Sequence, residues 1–204
     1  GAGAVAAGNA HTAAASAQVL RAGGNAVDAA VAAAATLGVT EGYSAGIGGG
    51  GFMVLYQART HRVTTIDGRE TAPAAFAEDS FIDPATGQPI PFAERVTSGL
   101  GVGVPGTLRT WQRAAGRYGT LPLAELLRPA IRVAERGFVV DQTFHDQTVT
   151  NADRFRAIVP TRELFLPGGA PPPVGSVLRN PDLARTYRML ARRGTAPFYR
   201  GRIA

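Results

Sequence analysis

The side chains best placed to do chemistry are Arg69 and Glu70, in the run Asp67-Gly68-Arg69-Glu70-Thr71-Ala72-Pro73. An arginine beside a glycine at the end of a strand can present a rigid fork of N–H donors to a carboxylate. The same two side chains could instead form a structural ion pair or face solvent. Just upstream lies Gly46-Ile47-Gly48-Gly49-Gly50-Gly51, backbone that can sit close to a ligand or another chain segment because no Cβ intervenes. Gly46, Gly48 and Gly51 satisfy G-x-G-x-x-G. A dinucleotide site, however, needs a strand before the glycines and a helix after them to hold the pyrophosphate. Here the order is reversed, with a helical Ala-rich stretch before and a strand from Phe52 onward, so the phosphates would have nothing to hold them.

Other chemistries are narrowed by composition. There are no cysteines, which removes disulfides, thiolate nucleophiles and Cys-bound metals. The three histidines, His11, His61 and His145, share no helical or turn spacing, so no metal site is expected and they read as surface or cap residues. All 21 basic residues are arginine, the net charge is +6, and the pI is near 10.7. That balance could mark a nucleic-acid partner. Yet the arginines are scattered, with no long basic run and little aromatic interleaving, and Arg without Lys beside abundant Ala, Gly and Pro is also what a GC-rich genome writes. No specific nucleic-acid site is expected. With 204 residues and 45% hydrophobic content the chain can bury one ordinary core, or most of two small ones. The apolar stretch from Ala26 to Leu37 is too short for a membrane helix and carries Asp28. Gly1-Ala2-Gly3-Ala4 lacks the charged start of a signal peptide, as a processed N-terminus also would.

These residues need a scaffold. Phe52 to Tyr56 and Val63 to Ile66 read as two strands of a hairpin with a longer loop. Before them, Val5 to Ala7 suits a short strand. Thr12 to Ala22 suits a helix closed by Gly23-Gly24. Asn25 should cap the next helix, with Asp28 in its first turn against the dipole. That helix carries Val27, Ala30, Val31 and Ala34 on one face and should stop at Gly38; its alanines allow close approach to a sheet. After Pro73 periodic signals fade through Asp83-Pro84-Ala85-Thr86-Gly87, which is turn chemistry or a mobile lid. Gly99 to Gly106 reads as extended backbone entering a turn. Thr107 to Tyr118 is helical, with Leu108, Trp111, Ala115 and Tyr118 on one stripe and Trp111 as a core anchor. Thr120 should cap a helix from Leu121 to Arg136 that Pro129 kinks or divides and Gly137 ends. Shorter helices are expected at Gln142–Thr150, Ala152–Ile158 and Thr161–Leu164, then a Pro/Gly loop from Pro167 to Gly175. Asn180-Pro181-Asp182 starts a helix that ends at Gly194, and Pro197 opens another.

The motif Gly-Ile-Gly-Gly-Gly-Gly-Phe-Met followed, after one hairpin, by Asp-Gly-Arg-Glu-Thr-Ala-Pro resembles the large-subunit signature of the γ-glutamyltranspeptidase family. The likeness extends upstream to Gly23-Gly24-Asn25-Ala26-Val27-Asp28-Ala29-Ala30. Downstream it continues through Val102-Gly103-Val104-Pro105-Gly106-Thr107 to Phe198-Tyr199-Arg200-Gly201. Several motifs in one order make the resemblance specific. It implies an α+β, helix-rich part of the αββα sandwich of the N-terminal-nucleophile hydrolases, with residues 1–204 forming one segment of a large subunit. It implies γ-glutamyl transfer from glutathione or related amides to amino acids, peptides or water, without a cofactor. In that family the nucleophile is the N-terminal threonine of a small subunit cut from the same precursor, its own α-amine acting as base.

No such group is present in that role here. Gly1 has no side chain, and the internal Thr64-Thr65 is followed by Ile66, unlike the family's processing sequence. The residue-level likeness places Arg69 as the arginine that binds the α-carboxylate of the γ-glutamyl donor and Glu70 as its acidic neighbour. It also implies a periplasmic or secreted protein. Two alternatives stay open: a non-catalytic γ-glutamyl-binding domain, and an acylase of the same fold acting on another amide.

Overall fold

The computed structural model describes residues 3–204. Helix α1 runs Ala10–Arg21 and begins two residues earlier than expected, because Asn9 is its cap, accepting from Thr12 N while its amide reaches Thr40 and Glu41. Helix α2, Ala26–Thr40, starts with a reciprocal capping box: Asn25 accepts from the backbone of Val27 and Asp28, and Asp28 accepts from Asn25 N. It runs two residues past Gly38. The glycine there provides close approach instead of a stop, since a Cβ at Gly38 would lie 3.1 Å from both Gly46 Cα and Tyr187 Oη.

The hairpin forms as expected, from β1 (Gly51–Gln57) and β2 (Arg62–Gly68), antiparallel with Phe52 opposite Asp67 and Tyr56 opposite Val63. One face of it packs inward through Leu55 and Ile66; the other presents Phe52, Val54, Tyr56 and Val63 to solvent. The segment 72–103 then makes a long excursion whose base is closed by a bridge between Thr71 and Val104. Within it lie turns, a bridge between Ile82 and Pro89, helix α3 (Phe92–Arg95) and a 3-10 turn at Gly99–Gly101, so only Val104 of the expected extended stretch pairs.

Helix α4, Thr107–Tyr118, matches the sequence reading and buries Leu108 and Trp111. Helix α5, Leu123–Arg136, departs from it twice. Thr120 does not cap it; the Thr120 hydroxyl and backbone N–H both donate to Asp28, and the helix starts at Leu123 after Pro122 without a side-chain cap. Pro129 does not divide it either. The cost of the missing N–H and the crowded carbonyl of residue 125 is offset by the burial of Leu126, Leu127, Ala130 and Ala134 on one face.

The expected break at Asn151 is absent, and helix α6 runs Gln142–Arg156, followed by α7 (Val159–Phe165). A short ladder missed by the sequence, β3 (Phe138–Val139) with β4 (Val177–Leu178), closes the base of the segment that carries α6 and α7. Helix α8, Pro181–Arg193, has the expected Asn180 cap, and α9 (Ala196–Arg200) closes at Gly201. Val5 to Ala7 is not a strand and enters neither of the two sheets found among the described residues.

Helix α2 is the centre of the packing, with α1, α4 and α5 against it and α8 behind α5. Small residues make this possible: Ala32 and Ala35 are fully buried, and Ser16 of α1 donates across to Ala29 O of α2 at 3.0 Å. Leu126, Leu127, Tyr187 and Leu190 fill the space between α5 and α8. Truncating any one of these leucines to alanine would cost about 2–5 kcal/mol. Helix α4 also packs under the hairpin, which is how the core fixes the strand end where Arg69 emerges.

Candidate functional site

The glycine loop, the end of β2 and the start of α4 meet backbone to backbone. Gly49 O accepts from Gly106 N at 3.0 Å and from Thr107 N at 3.1 Å. These are among the first N–H groups of α4, donors that a helix cannot satisfy internally. A Cβ at Gly106 would fall 2.0 Å from Gly68 O, and one at Gly68 would fall 1.9 Å from Thr110 Oγ1. The third approach involves the candidate acid, since a Cβ at Gly50 would lie 2.7 Å from Glu70 Oε2 and one at Gly103 would lie 2.9 Å from Glu70 Cβ. Glycine is needed at these positions for space, and its conformational freedom is secondary: φ is positive at Gly46 but not at these four.

Glu70 therefore sits between the glycine loop and residue 103, half-buried, while Arg69 beside it is 73% exposed. Arg69 Nε meets Glu70 Oε2 at 3.3 Å, and Arg69 N donates to Asp67 Oδ1 at 2.9 Å, fixing the backbone from which the guanidinium projects. So exposed a pair contributes at most about 1 kcal/mol to stability. Its effect is to set direction. The Nη atoms of Arg69 have no protein partner among the described residues. The two residues singled out from the sequence are thus brought together, on the rim of a backbone-lined floor.

A cleft of about 170 Å³ opens beside Gly50 and Gly51, lined by Ala34, Leu37, Phe52, Met53, Thr107 and Trp111 among others. Neither Arg69 nor Glu70 lines it. The lining is mostly apolar, so it offers shape but little orientation. Thr110, at its edge, keeps a buried hydroxyl oxygen without a partner among the described residues.

Two supports of the packing take partners that the sequence did not reveal. Tyr43, at the entry to the glycine loop, packs edge-on against Phe144 and stacks with Phe155, and its hydroxyl meets Thr148 Oγ1 at 2.6 Å. Burial raises its pKa, opposed by the Thr148 hydrogen bond. The other support is Asp28, fully buried. Burial alone would raise its pKa, but hydrogen bonds from Asn25 N, the Thr120 hydroxyl and the backbone of Thr120 and Leu121 more than offset this, and the net shift is downward. Both depend on partners about a hundred residues away, which no local pattern encodes.

Among the described residues no group of three or more His, Asp or Glu side chains is clustered as a metal ion would require, and no helix is long and apolar enough to cross a membrane. His145 Nδ1 lies 2.8 Å from Pro172 O, and His61, with φ 52° in the hairpin loop, meets the Tyr56 hydroxyl.

Comparison with known proteins agrees with this arrangement. The glutathione hydrolase proenzyme of Bacillus subtilis (strain 168) is 43% identical over 188 residues, covering 92% of this chain and 32% of that protein. The chain spans about a third of the length of such curated relatives. Among solved structures, the γ-glutamyltranspeptidase of Pseudomonas nitroreducens complexed with L-DON superposes with a TM-score of 0.87 at 36% identity, covering 98% of this chain and 58% of that one. The Helicobacter pylori γ-glutamyltranspeptidase gives 0.91 at 31% identity, covering 99% and 57%. The helix-rich α+β architecture is therefore that of an N-terminal-nucleophile hydrolase. The family model described as gamma-glutamyltranspeptidase matches residues 12–204, and with the glycine loop, the Arg69-Glu70 rim and the α4 start packed as one unit, the chain belongs to the γ-glutamyltranspeptidase family.

Proposed function

We propose that these residues form the first part of a large subunit that binds the γ-glutamyl donor, and that the complete enzyme transfers γ-glutamyl from glutathione or related amides to amino acids, peptides or water. The observation that carries the reading is Arg69: exposed, directed by one contact to Glu70, with its Nη pair open beside a floor of glycine backbone. That is what bidentate capture of an α-carboxylate requires. Glu70 holds the guanidinium in register and repels a carboxylate placed wrongly. The nucleophile is a threonine at the start of a small subunit from the same precursor, outside this chain. Its hydroxyl attacks the γ-carbonyl while its α-amine accepts the proton; the γ-amide C–N bond breaks, the amine departs carrying that proton, and the γ-glutamyl ester left on the threonine is then attacked by an amine or water, which takes the acyl group and returns the hydroxyl. Outward-facing Phe52, Val54, Tyr56 and Val63 support this placement, because a hairpin face so apolar suits the next layer of a sandwich. By resemblance the enzyme acts outside the cytoplasm.

The test is steady-state hydrolysis of γ-glutamyl-p-nitroanilide by the processed two-subunit enzyme. Loss of a charge-assisted carboxylate contact costs about 2 kcal/mol or more, so Arg69→Ala should raise KM at least about 30-fold. An unchanged KM removes Arg69 from the site. The 204-residue chain by itself should release no p-nitroaniline; turnover by that chain would place the nucleophile within it.

A further inference from the structure

Two of the sequence motifs, Val102-Gly103-Val104-Pro105-Gly106-Thr107 and Phe198-Tyr199-Arg200-Gly201, lie nearly a hundred residues apart and are in contact, and the second has no part in the reading above. The Tyr199 hydroxyl donates to Pro105 O at 2.8 Å and accepts from Arg109 N at 3.3 Å. Its ring lies under the Arg109 guanidinium, 5.1 Å from centroid to Cζ. The segment it grips touches the glycine loop, the end of β2 and the residues that follow Arg69. Gly103 packs on the Glu70 side chain, Val104 pairs with Thr71, and Gly106 and Thr107 hold Gly49 O while Gly106 abuts Gly68.

We propose that Tyr199 is a positioning residue for the donor-binding arginine, acting through residues 103–107; this rests on the assignment of Arg69 above. Pro105 cannot donate a hydrogen bond, and its ring fixes only its own φ. The planar peptide that leads into Gly106 is held from both sides, its N–H by Gly49 O at 3.0 Å and its carbonyl by the phenol at 2.8 Å, and the phenol is the one side-chain donor among the described residues that meets that oxygen. Burial raises the Tyr199 pKa, the Arg109 contacts opposing, so the phenol keeps its proton and remains a donor at neutral pH. Without the hydroxyl, the turn into α4 gains freedom. Gly103 and Val104 then confine Glu70 and Thr71 less tightly, and the guanidinium that Glu70 directs samples orientations that miss the carboxylate. A second link from the same C-terminal segment, Thr195 Oγ1 to Gln112 Oε1 at 2.7 Å, ties it to the middle of α4 without touching residues 103–107. It separates anchoring of the segment from positioning of the arginine.

The test compares Tyr199→Phe, Arg69→Ala, the double variant and Thr195→Val in the processed two-subunit enzyme. Substrates are γ-glutamyl-p-nitroanilide and 4-aminobutyryl-p-nitroanilide, which lacks the α-carboxylate. Loss of one hydrogen bond of ordinary strength should raise KM for the γ-glutamyl substrate about three- to tenfold in Tyr199→Phe, with kcat within about twofold. The preference for the carboxylate-bearing substrate should fall by the same factor. In the Arg69→Ala background Tyr199→Phe should add nothing, since the group it positions is gone. Thr195→Val should lower the melting temperature and leave KM unchanged.

An unchanged KM in Tyr199→Phe, beside a large rise in Arg69→Ala, overturns the positioning role and spares the arginine assignment. So does a rise that persists undiminished in the double variant, which would mean general loosening. No change in Arg69→Ala overturns both. If Tyr199→Phe fails to accumulate, Arg109→Ala, which strips the exposed cation from the same ring, should show a smaller shift of the same kind, and its absence counts against the proposal.

Discussion

Replacing Asp28 by alanine should unfold this protein far more readily than loss of a charge at a helix N-terminus would suggest. The carboxylate is fully buried and accepts from Asn25 N at 2.9 Å, Thr120 N at 2.9 Å and the Thr120 hydroxyl at 2.7 Å. Two of these donors are backbone amides that the fold gives no second partner. Leaving a buried donor unmade costs about 1–3 kcal/mol, and two such donors with a lost cap put Asp28→Ala at about 3–5 kcal/mol. Urea unfolding followed by the fluorescence of Trp111, the single tryptophan of the chain and a buried one, reads this directly. Asp28→Asn keeps the shape and separates charge from space.

The lowered pKa gives the pH dependence its sign. A carboxylate whose folded pKa lies below its unfolded value near ~3.9 adds stability that is present above that value and is lost as pH falls through the folded pKa. The stability difference between wild type and Asp28→Asn should be constant from pH 7 to 5 and should shrink below about pH 4. A loss under about 1 kcal/mol for Asp28→Ala would refute the reasoning, by showing that the amides find water or another acceptor. So would a difference that grows as the solution is acidified.

Three further outcomes follow from the packing. Gly68→Ala places its Cβ 1.9 Å from Thr110 Oγ1 and 2.8 Å from Gly51 O, so it should destabilise by more than about 3 kcal/mol. Adding Thr110→Ala should restore part of this but not all, because the Gly51 carbonyl remains; denaturation midpoints of the pair measure it. Tyr187→Phe removes the hydrogen bond that the buried hydroxyl donates to Ala35 O at 3.0 Å, a carbonyl within α2, and should lower stability by about 1 kcal/mol without altering the far-UV spectrum. Arg69→Ala, at a side chain 73% exposed, should leave the urea midpoint within about 0.5 kcal/mol of wild type, which would set its kinetic defect apart from unfolding.

What could be read before any coordinates was whatever is decided within a turn or two of chain. Asn25 was legible as a cap and Asp28 as a first-turn acid because both lie within four residues, and the structure joins them in a reciprocal capping box. The hairpin between Gly51 and Gly68 follows from two apolar runs and a short polar loop, and Arg69-Glu70 were identifiable as a unit because they are neighbours at its end. The readings that failed did so where a distant partner outbid the local one. Thr120 left its own helix unguarded because Asp28, ninety-two residues earlier, is a charged acceptor already buried. Gly38 reads as a helix stop, yet the chain continues through it, since Gly46 and Tyr187 occupy the space a side chain would need. The helix from Gln142 passes through Asn151 because Phe144, Thr148 and Ala152 bury on one continuous face. Local propensities amount to tenths of a kcal/mol, whereas burying a side chain or satisfying a buried polar group is worth one to several, roughly, so wherever the two conflicted the tertiary contact decided. The residues of the candidate site were determined by sequence order; that their glycine floor, their acid and the start of α4 form one packed unit was decided only by the fold.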